Sequence, residues 1–233
     1  MKKRITLLLS ALAVIIGTVG AGAAEENNQA NLTYDEIAQS LKADGLLEGT
    51  DKGLELNKPL TRAEMCAIIS RIIPKEDVMP MASIYNDMTD SHWAFNDISK
   101  LSEFGYVYGF EDGSFRPDEA VTAEQLAAIL VRATGYSSLM ENNDIYPWYA
   151  EYMKFAEEKG ILKNIQLAEE NTPVTRNTAI AMYYNAINLP LVYTTGFHIS
   201  GDMMVPTIAV MDGSTEDTPL TTLLSEYKAS KQN

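Results

Sequence analysis

The chain has 233 residues, of which 46% are hydrophobic and 21% are charged, and its formal net charge is −14. The 18 basic residues are outnumbered by 32 acidic ones, which argues against a broad nucleic-acid-binding face. A single cysteine, Cys66, excludes a disulfide framework and a cysteine-rich zinc site. With only His92 and His198, a histidine metal centre or a catalytic triad is not predicted either.

Residues 1–24 have the order of a secretory signal peptide. A basic start at 2–4 precedes an apolar run at 5–19 and small residues at 20–24, so we expect cleavage after Ala23 or Ala24 and a mature charge of −17. The alternative is an uncleaved membrane anchor, but about 15 apolar residues fall short of the roughly 20 that a spanning helix needs. No cysteine directly follows the run, which excludes a lipoprotein. No later stretch predicts a membrane span.

The rest of the chain contains three sets of landmarks in the same order. Each set has a glycine before an apolar pair and a threonine 15 to 17 residues later, and two sets have a tryptophan 12 residues before the glycine. The landmarks are Gly45, Thr61, Trp93, Gly105, Thr122, Trp148, Gly160 and Thr175. This recurrence predicts three copies of one unit.

Within each unit the pattern predicts a helix, a loop and a second helix. Gly105 suits the left-handed position that ends a helix. Thr61 with Glu64 and Thr122 with Gln125 fit capping boxes, whereas Thr175 lacks the reciprocal side chain. Apolar residues at helical spacing follow each cap and predict core positions. These are Met65, Ile68, Ile69, Ile72, Leu126, Ile129, Leu130, Ala133, Met182, Tyr183 and Ala186.

The predicted fold is therefore mainly α. One unit cannot bury its apolar faces alone, but three can share a core. We expect repeats at 25–84, 85–144 and 145–189, followed by an irregular or short-β extension at 190–233.

The second unit closely resembles an S-layer homology module. The resemblance rests on Tyr85-Asn86-Asp87, His92-Trp93-Ala94, the loop at 109–117 and Val121-Thr122, and Leu60-Thr61-Arg62-Ala63-Glu64 resembles the hallmark motif of that family. The third unit looks like a diverged copy. The resemblance implies a three-pronged pseudo-trimer that attaches exported proteins non-covalently to secondary cell-wall polysaccharide, often carrying pyruvate ketals, or in some relatives to peptidoglycan.

The motif arginines, Arg62 and Arg176, are the first predicted ligand contacts. An arginine in the first turn opposes the helix dipole, and free backbone donors beside it would create an anion site. The alternative is that each arginine snorkels on the surface or pairs with an acidic residue. The resemblance also implies that Asp87 contacts ligand, although it could instead cap a helix that begins near Trp93.

Three further residues complete the predicted contacts: Trp93, Trp148 and Gly113. The tryptophans could stack on sugar, but burial under the prong is the favoured interpretation. Gly113 follows Asp112, and a plain turn is favoured there over a calcium loop. No catalytic residue, metal or cofactor is predicted.

Departures from the family pattern leave the number of working grooves open. The second unit has Ala123 where the family usually has arginine, the first lacks the tryptophan-containing entry, and the third has Lys163-Asn164-Ile165-Gln166 in place of the glycine loop.

We therefore predict a secreted, non-enzymatic cell-wall anchor that binds secondary polysaccharide and no nucleic acid. The alternatives are a structural cell-surface or S-layer protein with decayed grooves and a surface-protein partner, or a peptidoglycan-binding anchor.

Overall fold

The computed structural model describes residues 32–49, 51–72, 79–140, 147–189, 192–200, 203–210, 212–214 and 216–217. The chain divides into two compact regions, residues 1–30 and residues 31–233, and the description below concerns residues 31–233. The predicted signal peptide lies outside the described residues and stays a prediction.

The described part of residues 31–233 is mainly helical, as predicted. Its α-helices are α1 (Tyr34–Ala43), α2 (Arg62–Ile69), α3 (Phe95–Glu103), α4 (Ala123–Ala133), α5 (Ala150–Glu158) and α6 (Arg176–Ile187). Short 3-10 turns follow or precede them at Ser70–Ile72, Met81–Ile84 and Tyr136–Leu139.

The C-terminal extension contains short strands, in agreement with the sequence. Strands β1 (Val192–Ser200) and β2 (Met203–Val210) form an antiparallel hairpin in which Val192 lies opposite Val210. Strands β3 (Asp212–Ser214) and β4 (Glu216–Asp217) form a second, smaller pair.

The helix ends follow the predicted chemistry. Thr61 and Thr122 form reciprocal capping boxes, and the Thr175 hydroxyl caps α6 by accepting from the Thr178 backbone N–H. Gly105 ends α3 with a φ of +69°, a conformation that a residue with a Cβ atom rarely adopts. The Tyr106 N–H then donates to the Leu101 carbonyl at 2.8 Å, which completes a Schellman motif.

The apolar stripes form the core, and they join helices that the sequence analysis assigned to different units. All the predicted stripe residues are buried except Ala133, which is partly buried against the same core, and Cys66 is buried as expected. Helix α2 packs against α3, α4 against α5, and α6 against α1. Helices of each predicted unit thus pack on helices of another, as expected if two helices alone cannot enclose the apolar face.

A closed ring of backbone hydrogen bonds joins the segments that lead into α2, α4 and α6. The Leu60 N–H donates to Val174 at 3.1 Å, Val174 donates to Val121 at 2.9 Å, and Val121 donates to Leu60 at 2.9 Å. The ring holds the three helix starts side by side, and each start faces a loop that the sequence analysis assigned to another unit.

Candidate functional site

Three joints surround this ring, and each consists of a helix start and a loop. The first joint is the start of α2 with the loop after α3, the second is the start of α6 with the loop after α1, and the third is the start of α4 with the loop after α5. Arg62, Arg176 and Ala123 occupy the same position in them, the first residue of the helix.

At the first joint, Arg62 binds the protein's own loop. Its side chain is 4% exposed, its Nε donates to the Phe115 carbonyl at 2.9 Å and its Nη2 donates to the Tyr108 carbonyl at 3.0 Å. The guanidinium carbon lies 4.5 Å from the centroid of the Phe115 ring. Burial lowers the pKa of Arg62 below its ordinary value, yet the carbonyls and the ring still stabilise the cation.

At the second joint, Arg176 is 5% exposed and its Nε donates to the Leu54 carbonyl at 2.9 Å. Its Nη1 lies 2.8 Å from Glu64 Oε1 and makes no hydrogen bond with the described residues, so this contact is an ion pair of poor hydrogen-bond alignment. Pairing with an acidic residue is the alternative that the sequence left open for this arginine.

The expected free backbone donors beside these arginines are occupied. The Arg62 and Ala63 N–H groups donate to Glu119 and Pro117 at 2.9 and 2.8 Å. The Arg176 and Asn177 N–H groups donate to Lys58 and Leu56 at 2.8 and 2.9 Å. The premise of an anion site at these two helix starts is therefore wrong, because loops from other units already satisfy the donors. Ligand contact by the two arginines stays a prediction.

The third joint has no arginine and uses a carboxylate instead. Ala123 is buried, and the neighbouring Glu124, 5% exposed, accepts from the Asn171 N–H at 3.1 Å through Oε1. Its Oε2 is buried and has no hydrogen-bond partner among the described residues. The two departures noted in the sequence, Ala123 and the glycine-free segment 163–166, thus belong to the two sides of one joint.

Asp87 holds the first-joint loop from outside. Its carboxylate accepts from the backbone N–H groups of Phe115 and Arg116, both at 2.7 Å. The proposed capping role is wrong, because α3 begins at Phe95 after Ala94, and no side chain caps it. Asp87 is exposed, and its predicted contact with ligand stays a prediction.

Gly113 lies in a tight turn of the same loop with a φ of +80°. Its carbonyl accepts from the Asn86 N–H at 2.9 Å, so the segment before α3 holds the turn. A Cβ atom at residue 113 would lie 3.3 Å from Asn86 Nδ2, and the left-handed backbone itself favours glycine.

Asp112 and Arg116 close this turn electrostatically. The Ser114 hydroxyl, the Ser114 N–H and the Arg116 guanidinium all donate to the Asp112 carboxylate and hold its pKa well below the ordinary range. The hydrogen bond from Arg116 to Asp112 in turn raises the arginine's pKa. No cluster of three or more potential metal-binding side chains occurs among the residues that the structure describes.

The two tryptophans are exposed, so the favoured expectation of burial is wrong. Trp93 is 62% exposed and stacks on His92, and Trp148 is 53% exposed and lies edge-on to Tyr149 and Tyr152. The small residue Ala94, rather than Trp93, is buried at the start of α3. An exposed indole remains available for stacking, the role that the sequence ranked second.

A cleft of about 660 Å³ opens between the first-joint loop, α4 and the start of α5. Of the predicted site residues, Arg62 and Trp148 line this cleft, while Arg176, Asp87, Trp93 and Gly113 do not. The cations at its wall are Arg62, Arg116 and Arg132, and its aromatic residues are Tyr108, Phe110 and Trp148. Glu111 and Asp112 also line it, which leaves a small excess of positive charge.

Sequence reasoning missed Tyr108 and Arg132. Tyr108 is 60% exposed although it follows the buried Val107, and this exposed aromatic between an apolar residue and Gly109 was the available signal. Arg132 lies in the last turn of α4, where a basic residue is ordinary, so only its surroundings distinguish it.

Across the described ranges, no helix has the length and apolar content to cross a bilayer.

Comparison with known proteins gives a family match for residues 84–127, which match the S-layer homology domain. A cell surface protein of Thermoanaerobacter kivui is 24% identical over 217 residues, which is 89% of this chain and 27% of that protein. A surface layer protein of Brevibacillus choshinensis is 29% identical over 199 residues, which is 82% of this chain and 17% of that protein.

An amylopullulanase of Thermoanaerobacterium thermosulfurigenes is 27% identical over 169 residues, which is 65% of this chain and 9% of the enzyme. The chain therefore spans less than a third of the length of each of these relatives. The matched domain contains Asp87, Trp93, Gly113 and the whole first-joint loop. Residues 84–127 thus match the S-layer homology domain, and most of the chain is similar to part of known S-layer and cell-surface proteins.

Proposed function

We propose that this protein anchors non-covalently to the cell wall by binding secondary wall polysaccharide in the cleft beside the first joint. One observation carries the proposal: Trp148 and Tyr108 line the same open cleft as three arginines, which outnumber the two acidic residues there. Aromatic faces suit the apolar faces of sugar rings, and guanidinium groups suit carboxylates.

The charge of the chain favours such a local site. A protein with a net charge of −14 repels an acidic polymer at long range, so attraction requires a cationic pocket at short range. A carboxylate on the polymer, such as the pyruvate ketal that the family resemblance implies, would supply the complementary charge.

The relatives support anchoring rather than catalysis. Similar regions occur in two proteins named as surface proteins and in one named as an amylopullulanase. In the amylopullulanase the similar region is 9% of the enzyme's length. A module that accompanies such different partners suits a shared attachment role, and no catalytic role is proposed for it.

The proposal includes three repeats arranged as a pseudo-trimer. The cyclic ring of hydrogen bonds among Leu60, Val121 and Val174 supports this arrangement. The matching helix ends at Gly45, Gly105 and Gly160, with φ of +70°, +69° and +83°, support it further.

Co-sedimentation with purified cell walls tests the proposal, before and after acid extraction of the secondary polysaccharide. The secreted protein is compared with Trp148→Ala, which changes the cleft, and with Trp93→Ala, a matched control in which a similarly exposed indole lies outside it. We expect binding to native walls, loss on extraction, and loss in Trp148→Ala alone.

Other outcomes redirect the proposal. Undiminished binding to extracted walls would identify peptidoglycan as the ligand. Equal losses in the two tryptophan variants would move the site out of the cleft, and no binding by the unaltered protein would favour the structural role with a protein partner.

A further inference from the structure

The cleft has three arginines at its wall, and two of them already have partners. Arg62 donates to two loop carbonyls. Arg116 Nη2 lies 2.9 Å from Asp112 Oδ2, and its Nη1 lies 3.7 Å from Glu119 Oε2. Both cations therefore already commit part of the guanidinium to contacts that hold the first-joint loop.

Arg132 differs in having no acidic partner among the described residues. Its guanidinium carbon lies 5.0 Å from the Tyr108 ring centroid and 4.6 Å from that of Tyr152. Its Nε donates to the Tyr152 hydroxyl at 3.2 Å, and its Nη1 donates weakly to the Tyr106 carbonyl at 3.4 Å. No carboxylate of the described residues lies within ion-pair distance, and none of them accepts a hydrogen bond from Nη2.

The chain contains its own comparison, because Arg71, Arg132 and Asn185 each lie nine residues after the first residue of α2, α4 or α6. Arg71 pairs with Glu48 at 2.9 Å. Asn185 is neutral and donates to the Ile161 and Lys163 carbonyls, both at 3.0 Å. Among these equivalent positions, only the one at the cleft carries a charge that no described acidic residue balances.

The two tyrosine rings fix the plane of this guanidinium. Cation–π contact with Tyr108 and Tyr152 restricts its rotation, so little side-chain entropy remains to be lost on binding. Trp148 lies beside Tyr152, with ring centroids 6.3 Å apart, and lines the same cleft. A sugar ring on Trp148 would thus place a substituent near Arg132.

We propose that Arg132 is the residue that recognises the anionic group of the polysaccharide, a carboxylate, while the motif arginine Arg62 is a positioning residue that holds the cleft loop. This inference rests on the proposed function of the cleft. A planar, oriented guanidinium whose Nη2 makes no hydrogen bond with the described residues favours the two oxygens of a carboxylate over a point-like charge contact.

Titration calorimetry with soluble, acid-extracted wall polysaccharide tests the assignment. The polymer is used in its native form and after chemical reduction of its carboxyl groups to alcohols, a treatment that leaves phosphate esters in place. The secreted protein is compared with Arg132→Gln and Arg132→Lys, and with Arg71→Gln as the matched control at the equivalent helix position.

We expect Arg132→Gln to weaken binding of the native polymer about tenfold, Arg132→Lys to weaken it less, and Arg71→Gln to leave it unchanged. Reduction of the polymer should weaken binding by the unaltered protein to a similar degree and have little further effect on Arg132→Gln. Thermal unfolding of each variant checks that the fold persists, and Arg132→Lys retains the test should the glutamine variant unfold.

The possible failures are distinguishable. Binding by the unaltered protein that Arg132→Gln and Arg132→Lys both leave intact would overturn the assignment of Arg132 and preserve the proposed function. Binding that survives carboxyl reduction would overturn the carboxylate and indicate a phosphate ester. No binding of either polymer by the unaltered protein would overturn the proposed function and this inference together.

Discussion

The first and third joints connect the same kinds of element, a helix start and a loop, but the first uses a cationic side chain and the third an anionic one. At the first, the cation of Arg62 reaches across to two carbonyls of the loop. At the third, Ala123 has no side-chain group that could donate a hydrogen bond to the loop. The carboxylate of Glu124 instead accepts one hydrogen bond from the Asn171 N–H. The loops differ in parallel, since one has Gly109 four residues after Gly105 and the other has Asn164 four residues after Gly160.

At the first joint, the motif arginine and the loop glycine belong to one arrangement. Close approach of backbone at Gly109 allows the loop to fold over Tyr85 and present carbonyls to Arg62. At the third joint the loop has Asn164 at this position, and the facing helix begins with Ala123. Two departures that are separate in the sequence therefore lie at one joint, and the joint that has both the arginine and the glycine borders the cleft.

The largest test of the contrast is Arg62→Ala. It leaves the buried carbonyl of Phe115 and the partly buried carbonyl of Tyr108 without this donor, so we expect the free energy of unfolding to fall by about 3 kcal/mol. Urea denaturation measures the change. Arg71→Ala, which removes an exposed ion pair with Glu48, is the control and should cost less than about 1 kcal/mol. An Arg62→Ala protein as stable as the unaltered one would remove the structural role.

Gly109→Ala tests the loop side of the same joint. An added Cβ would lie 2.6 Å from the Ser114 carbonyl oxygen and 2.6 Å from Tyr85 Cε1, so we expect a loss of about 2 kcal/mol in urea. Gly49 occupies the equivalent position at the second joint, where the nearest atom is at 3.0 Å, and Gly49→Ala should cost less. Equal losses at the two glycines would contradict the close approach at the first joint.

Paired glutamine substitutions sharpen the contrast in charge. Glu124→Gln keeps an oxygen for the Asn171 N–H and removes a buried negative charge, so we expect a gain of up to about 1 kcal/mol in the free energy of unfolding. Glu64→Gln removes the ion-pair partner of the buried Arg176, and we expect a loss of about 1 kcal/mol. Changes of the same sign would mean that the joints do not differ in charge balance.

The smallest expected effect is the pH dependence contributed by Asp112. Because hydrogen bonds from Ser114 and Arg116 lower its folded-state pKa below the ordinary 3.8, its stabilisation is present above that value and is lost as the pH falls below it. Asp112→Ala should therefore lower the urea midpoint by a constant amount from about pH 7 to pH 5, with the difference shrinking below about pH 4. A difference unchanged at about pH 2.5 would contradict this role.

Local signals in the sequence were sufficient for the elements and poor for the site. Capping threonines and terminal glycines are satisfied within a few residues of chain, so Thr61, Thr122 and Gly105 predicted helix boundaries correctly. The fate of a long polar side chain depends on what faces it. Nothing near Arg62 in the sequence indicates that carbonyls 46 and 53 residues away would receive its donors.

The tryptophans show the same limit. A large aromatic in a repeat of helices predicts burial on average, but exposure depends on which neighbour fills the space, and here Ala94 takes the buried position next to Trp93. The sequence did not predict Arg132 as a candidate ligand contact for a related reason. Its chemical type is ordinary at a helix end, and only the tyrosines packed around it and the absence of an acid among its described neighbours separate it from Arg71.

The sequence by itself determined a mainly helical chain with recurring caps, an apolar core and the S-layer homology motif, because each of these depends on spacing and local chemistry. Only the tertiary structure decided that helix starts meet the loops of other units, that those loops consume the backbone donors, and that one cleft has an arginine without a described acidic partner. These outcomes depend on contacts between residues far apart in the chain, and such contacts form only when the units pack against one another.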